Sequence, residues 1–115
     1  MSDIEIAWAA GILEGEGCFS RHIRSSNGAL CFAIHCEMSD EDVVRKLHTV
    51  FNVGTVVVRL NMAGRKDTRS RKQTWIWSVQ NRPGIAMVLN SIIPHLCQRR
   101  REKALLILGE INEGK

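Results

Sequence analysis

Hydrophobic positions along this 115-residue chain change period several times, and each change marks a predicted element. In the opening stretch, IEIAWAAGILEGEG, the small residues Ala7, Gly11 and Gly15 fall four apart, which places them on one helix face. Ile4, Trp8, Ile12 and Leu13 take other faces. Asp3 is placed to cap this helix, which is expected to run from Ile4 to about Gly15. Residues 18–24 then alternate. Phe19 and Ile23 point one way and Ser20, His22 and Arg24 the other, with Arg21 as the exception, so a half-buried strand is predicted. Ser25, Ser26, Asn27 and Gly28 form a turn, and Asn-Gly is a strong hairpin signal. The chain returns as a second strand over 30–38, with Leu30, Phe32 and Ile34 on one face and Cys31, Ala33 and His35 on the other.

Ser39 followed by Asp42 reads as a loose capping box. It opens a helix whose apolar side is Val43, Val44, Leu47, Val50 and Phe51, ended by Asn52 or Gly54. The β-branched run 53–60 is a third strand. Residues 61–71 are polar and basic, a loop. A fourth strand over 72–79 puts Trp75, Trp77 and Val79 on one face and Thr74, Ile76 and Ser78 on the other. Pro83 suits the first turn of a helix carrying Ile85, Val88, Leu89, Ile92 and Ile93, and Pro94 marks its end or a kink. A last helix over about 100–111 carries Leu105, Leu106 and Leu108. The order is α-ββ-α-ββ-α-α. It predicts one α+β domain over 1–115, a four-stranded sheet with helices behind one face and the other face displayed. The displayed face would carry Ser20, His22, Arg24, Cys31, Ala33, His35, Thr55, Val57 and Arg59.

Composition refines this picture. The net charge is +4 and the basic residues are clustered: Arg59, Arg65, Lys66, Arg69, Arg71 and Lys72, then Arg99, Arg100, Arg101 and Lys103. One strongly positive surface for a polyanion follows, against the plainer reading of solvated loops. Cys18, Cys31, Cys36 and Cys97 have neither disulfide nor zinc-finger spacing and read as reduced thiols in a cytosolic-type compartment. The acidic N-terminus is unlike a signal peptide, and no apolar run reaches membrane-spanning length. The opening helix raises a separate question. Each glycine weakens a helix by about 1 kcal/mol relative to alanine. Gly11 and Gly15 therefore call for the close approach of another soluble helix.

Residues 9–17, AAGILEGEG, resemble the signature helix of the LAGLIDADG homing endonucleases. Ala9, Ala10, Gly11, Ile12 and Leu13 stand for its first five letters, and Glu14, Gly15, Glu16 and Gly17 for the last four. The α-ββ-α-ββ-α order after it extends the resemblance over essentially the whole chain. So do two local likenesses, at 43–56 and at 93–108 with Pro94, Leu96, Arg99 and Leu105.

The resemblance implies a site-specific double-strand DNA endonuclease. A chain with one motif acts as a homodimer, with the signature helices side by side. Ala7, Trp8, Gly11, Ile12, Glu14 and Gly15 would then form the seam. Each copy delivers its final acid, Glu16, to the DNA backbone, where it holds magnesium (manganese is the second choice) with a backbone oxygen of Gly15 or Gly17. Arg99 is carried over as a catalytic residue and Arg101 as its helper. The sheets form a saddle on the major groove of a long pseudo-palindromic site. Ser20, His22, Arg24, Cys31, His35, Thr55, Val57, Arg59, Arg65, Lys66, Arg69, Arg71, Lys72 and Arg101 are the expected DNA contacts. The resemblance also implies a gene of intron, intein, phage or organelle setting. Two positions depart from the family's pattern: Cys36 stands where a polar residue usually ends the second strand, and Asp40 where a basic one is usual. Two alternatives therefore stay open, a DNA-binding relative that does not cut and an RNA-binding intron maturase.

Overall fold

The computed structural model describes residues 1–61 and 72–113. Helix α1 (Asp3–Glu16) is capped by Ser2 rather than Asp3. The Ser2 hydroxyl accepts from the Glu5 N–H at 3.1 Å, and the Glu5 carboxylate accepts from the Ser2 N–H at 3.0 Å. This is a full capping box, whose Ser-x-x-Glu signature starts one residue before Asp3. Strands β1 (Gly17–Ile23) and β2 (Leu30–Met38) form the expected hairpin. Its turn closes through Gly28, whose φ of +71° suits glycine.

Helix α2 (Glu41–Phe51) does not use the Ser39 box. Asp40 holds the cap position without a side-chain cap bond, and Asp42 accepts instead from the adjacent Val43 N–H at 2.9 Å. Asn52 ends the helix in the left-handed region, φ 56°. Gly54, at φ +85°, then lets the chain pass against the Ser78 carbonyl, where a Cβ would collide. Strands β3 (Thr55–Asn61) and β4 (Lys72–Val79) follow. Helix α3 (Arg82–Ile92) is capped by the Asn81 side chain, and Pro83 sits in its first turn as expected. A 3-10 turn (Ile93–His95) contains Pro94 and leads to α4 (Gln98–Glu113).

The sheet is antiparallel throughout, in the order β1-β2-β4-β3. β2 and β4 are central and β1 and β3 are edges. All four helices contribute to a core on one sheet face. Phe19, Phe32, Ile34, Cys36, Trp77 and Val79 enter it from the strands; Ala9, Ala10 and Leu13 enter from α1. Phe51 stacks on Trp77, whose indole N–H donates to the Val53 carbonyl at 2.9 Å. The architecture is the predicted α+β sheet backed by helices.

Four side chains differ from the sequence expectation. Ile23 has the core phase but lies at the end of β1, past its helix cover, and is 67% exposed. Ala33 has the displayed phase but is short and is buried beside its longer neighbours. In α4 the inward face is Ala104, Ile107, Leu108 and Ile111, which leaves Leu105 and Leu106 half exposed. No helix of the described residues is long and apolar enough to cross a membrane.

Candidate functional site

Strand register determines what the uncovered sheet face displays. Cys18 pairs with His35, Ser20 with Ala33 and His22 with Cys31. His35 continues to Ser78 and Glu37 to Ile76. Thr55 faces Ser78, Val57 faces Ile76 and Arg59 faces Thr74. Ser20, His22, Cys31, His35, Thr55, Val57 and Arg59 therefore share one face, as the alternation predicts. His35 Nδ1 lies 3.1 Å from the Ser78 hydroxyl. Arg24 follows the end of β1 and lines a cleft with His22, Cys31 and Arg82. Arg65, Lys66, Arg69 and Arg71 lie outside the described residues, and of Lys72 only the backbone, within β4, is described.

Glu16 is the last residue of α1 and is exposed. It lines a cleft with Cys18, His35, Glu37, Arg59 and Ser78, and a second one with Glu37, Ser39, Asp40 and Thr74. The acid of the opening helix thus opens onto the displayed face of the sheet. No basic side chain of the described residues forms an ion pair with it. Its position at the negative end of the helix macrodipole adds to the local negative potential. That potential reaches Cys36. Burial first, and the Glu16 charge second, push the Cys36 thiol up to about 11. Cys36 faces the core, opposite Gly17 and Trp77, so it presents no polar group to the site. The side chains that β2 does present beside Glu16 are its two neighbours, His35 and Glu37.

A basic group closes the other side of the α1–β1 junction. Gly17, Cys18, Phe19, Arg99, Arg100 and Lys103 line one cavity there. Arg99 is exposed in it. Arg100 is the residue that is held. Its guanidinium donates to the Gly17 carbonyl and lies over the Phe19 ring, 5.6 Å from the centroid. The buried Nε of Arg100 has no partner among the described residues. Arg101 is exposed and donates to the Leu96 carbonyl of its own chain at 2.7 Å. Glu14 accepts from the Cys97 N–H at 2.8 Å and so ties the start of α4 to α1 within one subunit. The far end of α4 is tied to the sheet by a two-bond Arg21–Glu110 pair, both bonds 2.6 Å.

The other face of α1 is open. Ile4, Ala7, Gly11 and Gly15 are exposed, with Trp8 and Ile12 half-buried beside them. A Cβ built on Gly11 or Gly15 meets nothing within 4 Å. The packing within the subunit therefore gives no reason for either glycine.

Solved structures share this arrangement. The homing endonuclease I-CvuI, in complex with its target, matches with a TM-score of 0.76 at 19% identity, over 96% of this chain and 68% of that one. I-TnaI, also a homing endonuclease, matches at 0.68 and 21%, over 95% and 74%. The LAGLIDADG homing endonuclease I-GzeII, in complex with a DNA target, matches at 0.72 and 14%, over 94% of this chain and 35% of that one. The chain has the LAGLIDADG homing-endonuclease fold. No protein-family model matches the sequence, and no curated protein does.

In this fold the displayed sheet face adjoins the acidic end of α1. Two residues beside that end escaped the sequence reading. Arg100, four residues before Ala104 and seven before Ile107, is half-buried beside the inward face of α4, whereas Arg99 and Arg101 are exposed. Glu37 lies two residues beyond His35, so alternation alone places it on the displayed face. Among the described residues no three His, Cys, Asp or Glu side chains converge to hold a metal ion. The hard carboxylate oxygens of Glu16 are nevertheless the donor type that magnesium takes.

Proposed function

We propose that this protein is a divalent-metal-dependent, site-specific double-strand DNA endonuclease that acts as a homodimer. The observation that carries the reading is the position of Glu16. An acid that forms no ion pair among the described residues ends a helix whose opposite stripe, through Ala7, Gly11 and Gly15, is open for a second copy. Pairing α1 with its symmetry mate brings two Glu16 carboxylates together. The two like charges repel, and a bound divalent cation would relieve that repulsion. Glu16, with the backbone oxygen of Gly15, would hold magnesium or manganese, which would supply Lewis acidity at a phosphate; the Gly17 carbonyl is taken by the Arg100 guanidinium.

The chain's own residues account for the remaining requirements. Ser20, His22, Arg24, Cys31, His35, Thr55, Val57 and Arg59 offer donors, acceptors and apolar contacts to base edges in the major groove. Arg65, Lys66, Arg69, Arg71 and Lys72 supply phosphate contacts, which position the duplex without reading it. Arg100, fixed against Gly17 and Phe19, and Arg99 beside it set positive charge where negative charge develops on the phosphate under attack. Water displaces the 3′-oxygen at one phosphate of each strand.

The Glu16→Gln protein tests the assignment on a target duplex in magnesium. It should bind the duplex with little loss and cut neither strand, a fall of at least about a hundredfold. Retained cutting of both strands would remove Glu16 from the chemistry. One observation favours a DNA binder that does not cut: Asp40, which stands where the family resemblance implies a basic residue, shares a cleft with Glu16 and Glu37 and adds a third acid there. Binding without cutting by the unmodified protein would select that reading.

A further inference from the structure

Glu37 is out of keeping with the surface it occupies. A carboxylate on a face that meets a polyanion repels phosphates, and Glu37 is well exposed there. Its contacts give it a use. The side chain reaches from β2 over β4. One oxygen accepts from the Thr74 hydroxyl at 2.6 Å, and the other lies 3.4 Å from Nη1 of Arg59. Thr74 and Arg59 are themselves direct partners across β4 and β3, and the Thr74 hydroxyl is also 3.4 Å from the Arg59 carbonyl. Three strands are thus joined over the sheet surface by side chains. The short bond from Thr74 fixes the carboxylate, and the carboxylate in turn restrains a guanidinium on the edge strand.

The chemistry separates two uses of that guanidinium. An arginine that contacts a phosphate needs charge and reach, and a neighbouring carboxylate competes with the phosphate for it. An arginine that reads guanine through O6 and N7 needs a fixed plane, and a carboxylate on one nitrogen supplies it while other N–H donors face the base. We propose that Glu37 is a positioning residue for specificity. Held by Thr74, it orients Arg59 to read one guanine in each half-site, next to the phosphate served by Glu16. This inference rests on the DNA-endonuclease reading above.

The test is selection of bound duplexes from a random library, with calcium present so that strands stay intact. The unmodified protein should prefer guanine at one position of each half-site by about tenfold. Arg59→Ala, Glu37→Gln and Thr74→Val should each reduce that preference to about twofold or less, and Thr74→Ser should keep it. Preferences at other positions should stay. Glu37→Gln combined with Arg59→Ala should do no more than Arg59→Ala alone. Should one variant fail to fold by circular dichroism, the others decide, because Glu37 and Thr74 are tested independently.

Three results would overturn the inference. The guanine preference could survive Glu37→Gln and Thr74→Val. A cytosine preference could be lost instead, which would mean that the carboxylate reads a base directly. The loss could fall evenly on every position, which would mean a structural role. If the unmodified protein enriches no sequence at all, DNA recognition itself falls, an outcome separate from these three.

Discussion

At the residue scale, Cys36 shows how one side chain can stand beside a site without joining it. Its sulfur is on the core face of β2 while its neighbours His35 and Glu37 face the cleft of Glu16. Burial holds its thiol protonated up to about 11, against an ordinary 9.0. Folding therefore favours the protonated form. The resulting stability is complete below pH 9 and is lost as pH rises through about 11. Thermal melts of the metal-free protein between these pH values should fall more steeply than those of Cys36→Ala. Equal slopes would show that the thiol is solvated. Residue identity at the site was partly legible. Glu16 stood out because glycines surround it. Arg100 did not, because three adjacent arginines look alike until the buried face of α4 is known.

Among the elements, α1 carries the argument for a second copy. Its helical period was readable because Ala7, Gly11 and Gly15 repeat every four residues; that Ala9, Ala10 and Leu13 form the buried side emerged only with the structure. Its cap was misplaced by one residue because Asp3 is as good a capping residue as Ser2 until the partner at Glu5 is counted. The open glycine stripe yields a prediction whose sign depends on the dimer. In an isolated subunit Gly11→Ala would add roughly 1 kcal/mol of helix stability. Against a second α1, larger side chains hold the two backbones apart at a cost of about 1–3 kcal/mol. Gly11→Leu should thus weaken self-association roughly tenfold or more by sedimentation equilibrium, while the subunit stays folded. Unchanged association together with a raised melting temperature would mean that the stripe is an ordinary exposed surface.

On the scale of the whole molecule, the α+β class followed from alternating runs and helical runs, because each period buries one face. Strand order did not follow. The order β1-β2-β4-β3 depends on β4 pairing with β2 across a large sequence separation, and alternation is blind to which strand is the neighbour. That pairing is what makes the site. It sets Glu37 beside Thr74 and Arg59, and it opens the end of α1 onto one continuous displayed face.

In the proposed function that face, the acid at its edge and a second copy form one DNA-cutting unit. Selection of cleaved molecules from a random duplex library in magnesium tests all three together. The predicted product is a set of near-palindromic sites, each cut once in each strand about the centre of symmetry. Cleaved sites without two-fold symmetry, or a library left uncut, would contradict it.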